Sequence, residues 1–142
     1  MSLHAAVLFL SLIAGCGKPN AYSVDVVDDP IRQADIVNIM QDGRVLKAIN
    51  LPGQEVNGFS LDSATKTKAG FEFSIEYGSR YYYHKQFIFI CRRNKFYLSR
   101  VIVDSFDKHN PEKWRIRVNR IKPNLPLEKF IVTNFMREVF PK

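Results

Sequence analysis

Long apolar runs are scarce in this chain. The one strongly apolar stretch, Ala5 to Gly15 (AAVLFLSLIAG), is about eleven residues long, whereas a bilayer-spanning helix needs roughly 20. Cysteine is scarcer still: Cys16 and Cys91 are the only two, too few for a disulfide scaffold, so packing has to supply stability. Three histidines occur, His4, His84 and His109, and a zinc site needs about four ligands. There is no serine nucleophile elbow, no glycine-rich phosphate loop, no close cysteine pair and no His-Glu-x-x-His. These absences make an enzyme the least supported class, and neither a metal nor a diffusible cofactor is expected.

The apolar run has the length of a signal-peptide core, roughly 7–15 residues ending at small side chains. Its end, Ile13-Ala14-Gly15-Cys16, resembles the lipobox of bacterial lipoproteins. His4 and the amino terminus stand where such signals usually carry Lys or Arg. The resemblance implies a diacylglyceryl group on the Cys16 thiol, cleavage before Cys16 and acylation of the new amino group. Two or three acyl chains anchor durably where one holds marginally. Gly17 rather than Asp follows the cysteine, which in that family implies the outer membrane, on its periplasmic side. The boundaries that follow are a signal peptide over 1–15, a lipidated cysteine with a tether over 16–29, and one globular domain over 30–142. With Cys16 lipidated, Cys91 has no partner in the chain. It ends the run FIFIC and reads as a buried hydrophobe.

Charge is unevenly spread. Residues 1–79 hold 6 Lys/Arg and 9 Asp/Glu, and residues 80–142 hold 15 and 5. A basic half can meet anionic lipid heads, nucleic acid or an acidic protein. Export argues against nucleic acid and favours an acidic protein partner.

The stretch DPIRQADIVNIMQDG suits a helix near residues 30–41. Asp29 can cap it, Pro30 suits its first turn, Gly43 suits its end, and Ile31, Ala34, Val37 and Met40 share a helical face. From Gly70 the period changes to two. In FEFSIEYG the residues Phe71, Phe73, Ile75 and Tyr77 share one face, and Glu72, Ser74 and Glu76 share the other. The segments YYYHKQFIFIC and FYLSRVIVDSF read as long strands joined by a short polar turn at RRNK, and KWRIRVNRI as a further strand. PNLPLEKFIVTNFMREVF carries mixed signals. The predicted fold class is α+β: one antiparallel, curled sheet of four to six strands with one or two helices.

Within this frame the candidate partner-binding residues are Tyr81, Tyr83, Arg92, Arg93, Asp107, His109, Arg115 and Arg117. Tyrosine and arginine dominate interface hot spots. Asp104, Asp107, His109 and Glu112 crowd the stretch DSFDKHNPEKW. Their spacing fits no calcium loop, and Asn110-Pro111 reads as a turn. His84, between Tyr83 and Lys85, reads as a surface residue. Arg115 and Arg117 share a strand face opposite Trp114, Ile116 and Val118. They are expected in solvent, answered by Glu72 and Glu76 or by a partner. Residues 70–135 loosely resemble small β-rich immunity lipoproteins of interbacterial toxin systems, through a long hairpin, an aspartate-rich loop and a tryptophan. That resemblance implies a toxin-neutralising binding module on a membrane anchor. Envelope assembly and the carriage of a small apolar ligand are the alternatives.

Overall fold

The computed structural model describes Cys16 and residues 21–141; the expected signal peptide, 1–15, lies outside them. Among the described residues eight strands run in chain order: β1 (Tyr22–Asp29), β2 (Ala34–Gln41), β3 (Arg44–Asn50), β4 (Ser60–Lys66), β5 (Gly70–Gly78), β6 (Tyr81–Arg92), β7 (Lys95–Asp107) and β8 (Asn110–Pro126). They form two antiparallel meanders, a three-stranded sheet β1-β2-β3 and a five-stranded sheet β4-β5-β6-β7-β8. Two 3₁₀ turns, Leu127–Lys129 and Val132–Phe135, follow. Among the described residues there is no α-helix. The α+β expectation is therefore corrected to all-β, and the single curled sheet to two sheets.

The helix expected over residues 30–41 is β2 with the turn before it. Asp29 Oδ1 does accept the backbone N–H groups of Ile31 (3.2 Å) and Arg32 (3.3 Å), as a cap would. The chain then reverses instead of coiling. Ile36, Val37 and Ile39 are β-branched, and alternation wins: Val37 and Ile39 are fully buried, while Ile31, assigned to the helical face, is 94% exposed. Gly43, expected to end that helix, instead turns the β2–β3 hairpin. Asp42 (φ 52°) and Gly43 (φ 75°) both take the left-handed conformation a two-residue turn requires. Arg93 (φ 53°) and Asn94 (φ 62°) do the same between β6 and β7, at the polar turn read from RRNK.

The tether expected over 16–29 is strand from Tyr22 onward, paired with β2 along its whole length. The Tyr22 hydroxyl donates to the Gly70 carbonyl (2.5 Å), and its ring meets Phe96 edge-on at 4.9 Å. Cys16 is bonded to Cys91, with Cα atoms 5.8 Å apart. This corrects the expectation of an unpaired Cys91. It also bears on Cys16, whose single sulfur cannot hold a disulfide and a lipid thioether together.

One contiguous core joins the two sheets. Cross-strand register stacks Phe71 on Phe89 (4.5 Å) and Phe73 on Phe87 (4.9 Å). The smaller sheet supplies Val37, Ile39 and Ile49. The C-terminal segment completes the cover, and Phe130 sits edge-on to Phe87 (5.4 Å) and Phe89 (5.1 Å).

Candidate functional site

The inner face of the large sheet continues past this core. Register carries it from Tyr77 to Tyr83, Ser105 and Arg115 across the strands, and from Ile75 to Lys85, Val103 and Arg117. Arg115 and Arg117 thus lie on the core side of β8, and Trp114, Ile116 and Val118 on the outer side. The expected solvated arginine face is the inner one. Glu72 and Glu76 align with Ile88 and His84 on the outer face, so they cannot answer these arginines. The structure corrects that pairing, because a strand's two faces never meet.

Of the clefts that flank the tyrosines, two are also lined by arginines. One, about 290 Å³, is lined by Tyr81, Tyr83, Asp107, Lys113 and Arg115 among others. The second, about 470 Å³, runs from Tyr83 and Lys85 to Arg117, Arg137 and Glu138. Asp107, just before the β7–β8 turn, lines the first. Arg80 reaches Asp107 through two hydrogen bonds of 3.3 Å, and the His109 backbone N–H donates to Asp107 Oδ1 at 2.9 Å. The Arg80 guanidinium holds the Asp107 carboxyl below the usual range. His109 thus contributes a turn. Among the described residues, Arg115, Arg117 and Arg137 have no carboxylate at ion-pair distance.

Of the eight candidate residues, Tyr81, Tyr83, Asp107, His109, Arg115 and Arg117 gather at this end. Arg92 and Arg93 do not. They stand at the other end of β6, which has 12 residues, so roughly 35 Å away at about 3.3 Å per residue.

The floor of the larger cleft is a group the candidate set omits. Lys85 is 6% exposed on the same inner row as Phe87 and Phe89. Its ammonium donates to the Phe135 carbonyl (2.7 Å) and to both oxygens of Glu138. The Tyr77 hydroxyl also donates to Glu138, at 3.0 Å. Burial pushes Lys85 down, against the pull of Glu138. Burial would raise Glu138, yet the hydrogen bonds it accepts hold it below the usual carboxylate range. A lysine at an apolar position of a period-two strand was the legible signal. Its partner, some fifty residues later, was not.

No known family, curated protein or solved structure matches this chain.

The outer face carries a polar network. His84 Nε2 lies 3.0 Å from Asp62 Oδ2, the Ser74 hydroxyl donates to the same oxygen at 3.1 Å, and Ser63 meets Ser74 at 2.8 Å. The His84 contact, then that of Ser74, lowers the Asp62 pKa. Ser74 meets the carboxylate and Ser63 meets Ser74, so neither hydroxyl lies against the imidazole. Asp104, Asp107 and Glu112 belong to β7 and β8 and His109 to the two-residue turn between them; Asn110 and Pro111, read as the turn, open β8 instead. Among the described residues no group of three metal-ligating side chains converges.

Proposed function

We propose that this chain is an exported, non-enzymatic protein-binding module of the cell envelope that captures and neutralises an acidic protein, as a toxin-neutralising immunity protein does. One observation carries the reading. Tyrosines and arginines that lack carboxylate partners within the described chain converge on one open, cleft-bearing end of a rigid sheet. Aromatic and arginine anchors on a firm frame are what a hot spot needs, and unmatched positive charge speeds capture of an acidic partner.

Two features support the compartment: the apolar run ahead of Cys16, and a disulfide, which persists in oxidising surroundings. The resemblance to lipoproteins gives Cys16 a lipid, the structure gives it Cys91, and intact mass of the mature protein separates the two. An acylated chain gains the lipid mass; an oxidised one loses two hydrogens.

The test is to purify the mature chain from its producing cell and identify what it holds. An enzyme that loses its activity on binding is the expected result. Recovery of wall fragments or envelope-assembly proteins alone would replace neutralisation with an assembly role.

A further inference from the structure

We infer that β8 is the docking strand: an extended segment of the partner, alternating acidic and apolar residues, lies along its free edge as a sixth strand of the large sheet. This rests on the protein-binding reading above and names the surface and the chemistry of what it binds.

β8 is the last strand of its sheet and has 17 residues. Residues 111–120 are exposed without interruption, so none of the described residues covers its outer edge. Such an edge offers a row of backbone donors and acceptors to an incoming strand. The two faces of β8 differ in chemistry. On the outer face Trp114, Ile116 and Val118 are 55, 52 and 51% exposed. On the inner face Arg115 and Arg117 stand beside the tyrosine clefts without carboxylate partners among the described residues.

A strand laid beside β8 alternates across the same two faces. Its inner side chains fall beside Arg115 and Arg117, and its outer ones beside Trp114, Ile116 and Val118. Opposite charges and apolar pairs at facing positions stabilise a ladder, and like charges oppose it. The preferred segment therefore reads acidic, apolar, acidic, apolar.

Charged residues on an edge also serve to prevent pairing. A purely defensive edge would not carry a half-exposed row of Trp, Ile and Val on its other face. Nor does a second copy of this chain fit. Pairing β8 with β8 sets arginine against arginine. The acidic strand β1, with Asp25, Asp28 and Asp29, lies along β4, where the Lys66 ammonium donates to the Tyr22 carbonyl at 3.1 Å.

Trp114 is the only tryptophan and lies on the proposed edge, so its emission reports binding. The probe is a capped peptide of roughly twelve residues alternating Glu and Val, with a Lys–Val alternate and a shuffled peptide of the same composition as controls. With the full mature chain, the Glu–Val peptide shifts Trp114 emission saturably, and the controls do not. Arg115→Glu with Arg117→Glu weakens binding at least about tenfold, as does raising salt from low to ~0.5 M, where exposed charges are screened. Ile116→Lys with Val118→Lys weakens it without touching the arginines. All four sites are open to solvent, and each variant's melting temperature verifies folding.

The same variants, used to capture the cellular partner, separate the two levels. A partner held by wild type and lost by both double variants supports the inference. A partner retained by both overturns the docking strand and leaves the binding module standing. Silence of every peptide, with no partner on wild type, overturns both. Dimers that form on concentration and disappear in the variants assign the edge to a second copy. Binding of wild type to anionic vesicles, with no response to the peptide, assigns it to lipid. Either result overturns the inference.

Discussion

β5 and β8 belong to one sheet and both alternate, yet they end differently. In β5 the alternate row Phe71, Phe73, Ile75 and Tyr77 is fully buried, against β6 on one side and the C-terminal segment above. In β8 ten consecutive residues are exposed. Alternation sorts side chains onto faces; neighbours decide which face is covered. β5 sits between β4 and β6, while β8 has only β7. The large sheet is thus a sealed half built for stability and an open half whose polar and apolar rows are unmet. Binding chemistry belongs on the half whose loss costs folding least.

Substitutions test this division, and the largest effects belong to the sealed half. Phe89→Ala removes a ring stacked on Phe71 and edge-on to Phe130; about 4 kcal/mol should be lost in urea unfolding. Cys91→Ser frees a loop whose ends are 75 positions apart in sequence and should cost about 3 kcal/mol in the oxidised protein. A reducing agent should lower the midpoint of wild type and leave the variant unchanged.

At the boundary between the halves, Glu138→Gln leaves Lys85 buried without its counter-charge and should cost about 2–3 kcal/mol near neutral pH. Because the folded Glu138 pKa lies below its unfolded value, its contribution is complete above the ordinary glutamate value. It is lost as pH falls through the folded value. Unfolding midpoints between pH 7 and 3 should converge for wild type and variant at the acid end. Parallel curves would mean that the pair contributes nothing.

On the open half, Val118→Thr should change stability by less than about 0.5 kcal/mol. A loss comparable to that of Phe89→Ala would mean that β8 is covered in solution by something that stabilises the fold.

The strands of the C-terminal half were readable because their signals are local. Phe71 through Tyr77 alternate without interruption, and Arg93-Asn94 is a polar pair set between two apolar runs. The misread segment, residues 30–41, satisfies both periods. Ala34, Val37 and Met40 suit a helix; Val37 and Ile39 suit a strand. Hydrogen bonding to β1 and β3 on both sides decided between them. Six of the eight candidate residues share one end because the β5–β6 and β7–β8 turns lie together, Lys108 N–H donating to the Arg80 carbonyl at 2.9 Å. Arg92 and Arg93 looked equivalent in composition and are placed apart by the length of β6. The inward side of Arg115 and Arg117 follows from register with Ser105 and Val103, which no local pattern states.

The amino-acid sequence by itself determined the strands between Gly70 and Ile121, though not the full length of the last one, the turn at Arg93-Asn94, the split of charge between the halves, and the opposition of Arg115 and Arg117 to Trp114, Ile116 and Val118. All of these depend on residues within a few positions of one another. Only the tertiary structure decided that the chain makes two sheets, that Cys16 meets Cys91, that Lys85 meets Glu138, and that the arginine row lies on the core side. Each of those joins groups tens of residues apart, and their meeting is set by burial of the shared aromatic core rather than by any preference carried in the local chain.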